Sequence, residues 1–196
     1  MSEQNLLDSV NIPPRFANAT FETFKATTQT AKHNLTVCKQ YVATWEDRKN
    51  AGEGLVMCGT PGTGKTHLAV SIAREVAGEL QQSVFITTAA RIIRAFRRTW
   101  DGHSEFSELD VLAKYCEQDL LIIDEIGVQY GTDSERNILF EVINNRYEDL
   151  LPTILVSNLP MGELSEMLGE RAVDRLLQGG TVLTFNWPTY RRGNHS

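Results

Sequence analysis

A chain of 196 residues, 41% hydrophobic and 22% charged, has room for one α/β domain with a full core plus a short extension. No apolar run approaches the roughly 18 residues that cross a bilayer, and Met1-Ser2-Glu3-Gln4-Asn5 lacks the basic region and apolar core of a secretory signal, so a cytoplasmic protein without a membrane partner is expected. A net charge of −6 excludes bulk attraction to nucleic acid, so any such contact needs a local basic patch. Cys38, Cys58 and Cys116 are odd in number and widely spaced, which argues against a disulfide framework or a zinc site. His33, His67, His103 and His195 form no metal-ligand pattern either.

Residues 1–30 read as a polar, extended lead-in, with Pro13 and Pro14 opposing helix and Phe16, Phe21 and Phe24 as apolar anchors. The folded domain is expected over 31–192, with a disordered tail at 193–196. Leu35, Val37, Cys38, Tyr41, Val42 and Trp45 make one broad apolar face, which predicts a helix from about Lys32 to Asn50. Ala51-Gly52-Glu53-Gly54 ends it. Gly54-Leu55-Val56-Met57-Cys58 is a short apolar run of strand type. It leads into Gly59-Thr60-Pro61-Gly62-Thr63-Gly64-Lys65-Thr66, which fits the phosphate-loop pattern G-x-x-x-x-G-K-[ST] at every fixed position. His67 to Val76 then has helical spacing.

Strand, glycine loop and helix are the context that this motif requires. Glycines let the backbone curl so that N–H groups point at phosphate oxygens, and the helix N-terminus adds its positive end. Gly59 through Thr66 and His67 are therefore the expected ATP-binding residues. Lys65 would reach the β- and γ-phosphates, and the Thr66 hydroxyl would bind Mg²⁺. The phenylalanines of the lead-in then either dock on the domain edge or cover the nucleotide base.

Further along, strands are predicted at 83–87, 120–124, 153–157 and 182–185, alternating with helices near 88–100, 106–116, 133–149, 161–168 and 170–177. That alternation predicts an α/β fold: a five-stranded parallel sheet with helices on both faces. Within the first of these helices Ile92, Ile93, Phe96 and Trp100 share one face, and Arg91, Arg94, Arg97 and Arg98 occupy the other. The arginines are either a solvated helix back or a track for a nucleic-acid backbone, with Trp100 stacking on a base.

Leu120 to Glu125 is a buried apolar strand that ends in two carboxylates. Such an ending delivers them to the sheet edge where the phosphate loop sits. Asp124 would hold Mg²⁺ and Glu125 would orient and partly deprotonate the attacking water. No [NT]-K-x-D guanine-reading motif occurs, which favours ATP over GTP. Asn158, after the next strand, is placed to touch the γ-phosphate and the water. Arg171 and Arg175 lie at i and i+4 on one helix face. They are either solvated and paired with Glu170 and Asp174, or a finger that reaches a neighbouring subunit's nucleotide.

These motifs in this order resemble the AAA+ ATPases, and within them the DnaC family of bacterial replicative helicase loaders. The resemblance rests on Leu121-Ile122-Ile123-Asp124-Glu125-Ile126-Gly127-Val128-Gln129, on Leu168-Gly169-Glu170-Arg171-Ala172-Val173-Asp174-Arg175 and on Phe185-Asn186-Trp187-Pro188-Thr189-Tyr190-Arg191. It runs from about Phe16 to Arg191. It implies an AAA+ fold with little or no separate lid, and a slow Mg²⁺-dependent ATPase stimulated by assembly. It further implies that Arg175, with Arg171, is the arginine finger, and that Arg191 is a second sensor contacting phosphate in its own subunit. The helices over 88–118 would line a single-stranded DNA channel, which gives Arg94, Arg98 and Trp100 a task.

Implied partners are single-stranded DNA, a DnaB-type replicative helicase and further copies of the chain in a helical or ring-like oligomer. Family members carry a separate N-terminal domain that grips the helicase. Here 58 residues precede Gly59, which fits either the ATPase part of a longer protein or a short phage-type relative. An IstB-type transposition helper acting on duplex DNA is the nearest alternative. A small-molecule kinase or a non-hydrolysing scaffold is more distant.

Overall fold

A computed structural model describes Asn5 and residues 9–101, 104–128 and 132–190. Arg191, the 193–196 tail, His103 and Gln129 lie outside the described residues.

The chain order begins with α1 (Gln29–Ala43), α2 (Trp45–Ala51), β1 (Leu55–Gly59) and α3 (Lys65–Gly78). Next come β2 (Val84–Thr88), α4 (Ala89–Thr99), α5 (Glu108–Cys116) and β3 (Leu120–Ile126). The last elements are α6 (Asp133–Glu148), β4 (Thr153–Ser157), α7 (Met161–Leu168), α8 (Glu170–Leu177) and β5 (Thr181–Phe185). The five strands pair in parallel in the order β2-β3-β4-β1-β5. Each connection therefore crosses over the sheet, which covers both faces with helices as expected.

Alternation along each strand divides the core. Leu55 and Met57 of β1, with Leu120, Ile122, Ile154 and Val156, pack on one side against α1 and α3. Val56 and Cys58, with Leu121, Ile123 and Leu155, pack on the other against α4 and α6 to α8. Such strands need apolar residues at every position, and this is why they appear as unbroken runs in the sequence.

Two expectations change. The single helix over 32–50 is two helices. Thr44 breaks it, leaving helical geometry at ψ 28° while its hydroxyl donates to the Gln40 carbonyl. The lead-in is not simply extended. Residues 14–16 form a 3₁₀ turn, and Val10, Ile12, Ala19, Phe21 and Phe24 are buried in the core layer beside α3. Hydrophobic burial outweighs local polarity here, because these side chains are spaced to meet an apolar helix face that the local sequence does not reveal.

The segment is also pinned by polar contacts. Asn11 Nδ2 donates to the Ile86 carbonyl at 2.7 Å, and Arg74 donates to that of Ala17 at 2.7 Å. Among the described residues no helix is long and apolar enough to cross a membrane.

Candidate functional site

All five strands run the same way, so Gly59, Thr88, the Asp124–Glu125 pair, Ser157 and Phe185 reach one edge of the sheet. The phosphate loop spans from that edge to the start of α3. Two glycines permit its path. Gly59 has φ +118°, and a Cβ there would lie 2.5 Å from the Phe185 carbonyl oxygen. Gly64 has φ +96°, and its Cβ would meet the Phe24 ring at 2.6 Å. Any larger residue would push the loop off β5 or expel Phe24.

Inside the loop, the buried Thr63 hydroxyl donates to the Thr60 carbonyl at 2.7 Å. Lys65 opens α3 and is only 4% exposed, with Nζ donating to the carbonyls of Gly59 at 2.8 Å and Thr60 at 2.7 Å. The ammonium thus sits within the curl of the loop. Tyr190 N–H donates to the Gly62 carbonyl at 3.0 Å and ties the chain after β5 to the loop.

The second half of the site comes from β3. The Thr66 hydroxyl donates to Asp124 Oδ2 at 2.9 Å, and the Glu125 N–H donates to Oδ1 at 2.7 Å. Burial pushes the Asp124 carboxyl above its ordinary value, while those two hydrogen bonds and the nearby Lys65 act in the opposite direction. Strict alternation would send Asp124 and Glu125 to opposite faces of the sheet. A bulge between Ile123 and Ile126 inserts one extra residue, and Glu125 takes φ +58° within it. An αL conformation in a non-glycine residue is costly, and a bulge re-aims the side chain it carries. Glu125 therefore faces the same cavity as Asp124.

That cavity holds about 520 Å³ and is lined by Lys65, Thr66, His67, Asp124, Glu125 and Asn158, among others. The structure thus brings together the loop, the Asp-Glu pair and Asn158, which are up to about a hundred residues apart in sequence. Asn158 is presented by a turn that the buried Ser157 hydroxyl holds, donating to the Ile126 carbonyl at 2.7 Å. Gly62 and Gly64 also line the cavity, whereas Thr60 and Pro61 are exposed outside it. His67 Nε2 lies 2.8 Å from the Thr20 carbonyl and 3.2 Å from the Thr23 hydroxyl, with Phe24 edge-on at 5.6 Å. His67 thus joins the lead-in to the loop's helix. Phe16 is half-buried and lines the cavity, whereas Phe21 and Phe24 are buried in the core.

Sequence reasoning missed Arg15 and Arg91, which both line the cavity. In the sequence Arg91 shares the polar helix face with Arg94, Arg97 and Arg98, and only the position of β2 beside β3 distinguishes it.

Arg175 lies elsewhere. Its guanidinium stacks over Tyr147 at 4.9 Å and Phe140 at 5.7 Å, with Glu148 at 3.7 Å. It borders a cleft with Gly54 and Thr153, at the start of β1 and β4. A five-residue strand separates that end from Lys65, roughly 16 Å at the usual rise. Arg171 is exposed on the same helix.

On α4, Ile92, Ile93 and Phe96 are buried as expected, and Arg94 and Arg98 are exposed. Two readings of this helix need correction. Arg97 is paired with the buried carboxylate of Glu135 at 3.0 Å, so it is neither simply solvated nor open to a nucleic-acid backbone. Trp100 is 55% exposed rather than on the core face, because α4 ends at Thr99 and the indole N–H turns to Glu108. Among the described residues no group of three or more His, Cys, Asp or Glu could hold a metal. A single carboxylate beside one hydroxyl suits Mg²⁺, which keeps water and takes phosphate oxygens for most of its shell.

Strand order and loop together define the class: a phosphate-loop nucleotide-binding fold of the AAA+ type. Comparison with known proteins refines this. The chain belongs to the IstB/DnaC family of ATP-binding proteins, matching the model described as IstB-like ATP binding protein over residues 5–196. It is 33% identical over 192 residues to the replicative helicase loader DnaC of Escherichia coli K12, covering 97% of this chain and 76% of that protein. Identity to the DnaC of Buchnera aphidicola (subsp. Baizongia pistaciae) is 32%, covering 100% and 78%. Among solved structures, the crystal structure of the DnaC helicase loader superposes with a TM-score of 0.79 at 22% identity, over 88% of this chain and 99% of that one. The replication initiator DnaA bound to AMPPCP and single-stranded DNA superposes with 0.71 at 21% identity, over 90% and 51%. The expected family and the five-stranded AAA+ sheet are both borne out.

Proposed function

We propose that this protein is an ATP-dependent loader of a replicative helicase, which binds and hydrolyses ATP between neighbouring copies and grips single-stranded DNA. The convergence of Lys65, Thr66, Asp124, Glu125 and Asn158 on one cavity carries the nucleotide part of this reading. Identity of 33% to helicase loaders over almost the whole chain supports the remainder.

In this scheme the loop N–H groups and Lys65 hold the β- and γ-phosphates. Thr66 and Asp124 would hold a magnesium ion, which neutralises phosphate charge. Glu125 takes a proton from water as its oxygen attacks the γ-phosphorus, and the bond to the β-phosphate oxygen breaks to leave ADP. Asn158 orients that water.

Arg175 stands at the far end of the sheet from its own Lys65, which supports a role in a neighbour's site. The guanidinium lies on the Tyr147 and Phe140 rings with its side chain 30% exposed, so it remains reachable from outside. Arg175→Ala should keep ATP affinity within a few-fold and lose roughly 10³-fold in hydrolysis, the scale of an arginine finger. Normal phosphate release by that variant would sink the finger assignment. Arg94, Arg98 and Trp100 on the exposed side of the α4–α5 region are the proposed DNA contacts, with Arg171 supporting the finger and Arg191 acting as second sensor.

The decisive experiment is a pull-down of a DnaB-type helicase with and without single-stranded DNA, in ATP and in ADP. ATP-dependent retention of helicase and DNA is expected, and Lys65→Ala should abolish it by removing nucleotide binding. The matching family's description as IstB-like gives one second reading, which we take as a helper ATPase acting on duplex DNA. Tighter ATP-dependent binding to duplex than to single strands, without helicase retention, would select it.

A further inference from the structure

Of the four arginines on α4, Arg91 is the one that lines the nucleotide cavity. Its position follows from the sheet. The parallel register sets Thr88 directly beside Asp124, about 4.8 Å away across the ladder. Thr88 caps α4 by accepting from the Arg91 N–H at 3.3 Å. Arg91 therefore stands in the first turn of a helix that begins beside the Asp124–Glu125 end of β3. The rotation of that turn is locked, because the neighbouring Ile92 and Ile93 are 0% and 3% exposed. Arg97 is paired with Glu135, whereas Arg91 makes no ion pair among the described residues. Lys65 lines the cavity from the loop and Arg91 from the start of α4, the end of that helix which the register sets beside Asp124. A planar guanidinium there suits a terminal phosphate, which offers paired oxygens and the highest charge of the chain of phosphates.

We propose that Arg91 is a binding residue for the terminal phosphate, by which this site distinguishes a nucleoside triphosphate from a diphosphate. The proposal rests on the reading of the cavity as an ATP site. Its test is the affinity of the full chain for ATP and for ADP, measured separately with Mg²⁺ present, in the natural protein and in Arg91→Gln, Arg91→Lys and Arg15→Gln. Arg91 is exposed, so the variants should fold, and an unchanged melting temperature without nucleotide checks this. Arg91→Gln should weaken ATP about 10-fold and ADP less than 2-fold, the scale of one charge-assisted hydrogen bond. Arg91→Lys should recover part of the loss.

Equal losses for ATP and ADP, or no loss for either, would overturn the assignment. So would an equal ATP-specific loss in Arg15→Gln, which removes a different cation from the same cavity and would trace the effect to overall charge. Failure of the natural protein to bind either nucleotide is a separate result, since it removes the ATP site itself.

Discussion

Glu125→Gln should lower ATP hydrolysis by about 10²- to 10³-fold while leaving ATP affinity within a few-fold, a loss on the scale of general-base catalysis. The two effects separate because of how Glu125 is built into β3. Its backbone N–H, not its side chain, holds Asp124 Oδ1, and Asp124 is held on its other oxygen by Thr66. An amide of the same size leaves both bonds and the bulge in place. What it removes is the carboxylate that we propose accepts a proton from water. Phosphate release and equilibrium ATP binding, measured on the same preparation, check the claim. Turnover within threefold of the natural protein would instead favour a scaffold that binds nucleotide without using Glu125.

Arg146→Ala is the second large effect, and it acts on stability. Arg146 sits in the last turn of α6 and is fully buried. Its guanidinium donates to the carbonyls of Tyr115, Gln118 and Pro152 and to the Thr153 hydroxyl, at 2.7 to 2.9 Å. It thereby closes the segments that enter β3, which carries Asp124, and β4, which leads into Asn158. Burial lowers its pKa to about 10, with Cys116, Tyr41, Asp119 and Asp149 opposing that shift, so it remains charged near neutrality. Removing it takes a donor from the Tyr115, Gln118 and Pro152 carbonyls, of which that of Pro152 keeps the Leu121 N–H, and opens a cavity. At about 1–3 kcal/mol for each buried acceptor left unsatisfied, the loss is roughly 3–5 kcal/mol, and the melting temperature should fall by roughly 6–20 °C for a chain of this size. A fall under about 2 °C would show that the carbonyls find other partners.

Much of this was legible beforehand. The glycine spacing at 59–64, the lysine and threonine after it and the apolar run into Asp124 each depend on local chemistry, and each occurs where the spacing predicts. Asn158 was legible because strand order in the chain already carries it to the same edge. What stayed hidden depended on neighbours distant in sequence. Arg97 looks unpaired until α6 brings Glu135 against it. The lead-in looks extended until α3 offers its apolar residues a surface. Arg146 resembles any surface arginine near a helix end, because nothing in residues 140–150 announces that three carbonyls from other segments converge there. Arg91 cannot be told from Arg94 until Thr88 is known to lie beside Asp124.

The sequence by itself therefore determined the sheet and most helices, the phosphate loop, the carboxylate pair and the family, since these follow from backbone geometry, side-chain period and the ligand chemistry of adjacent residues. Only the tertiary structure decided which arginines line the cavity, which are held by internal carboxylates and carbonyls, and which remain at the surface. A charge is assigned its work by whatever packing places within about 3 Å of it, and that distance is set by the order of strands in the sheet.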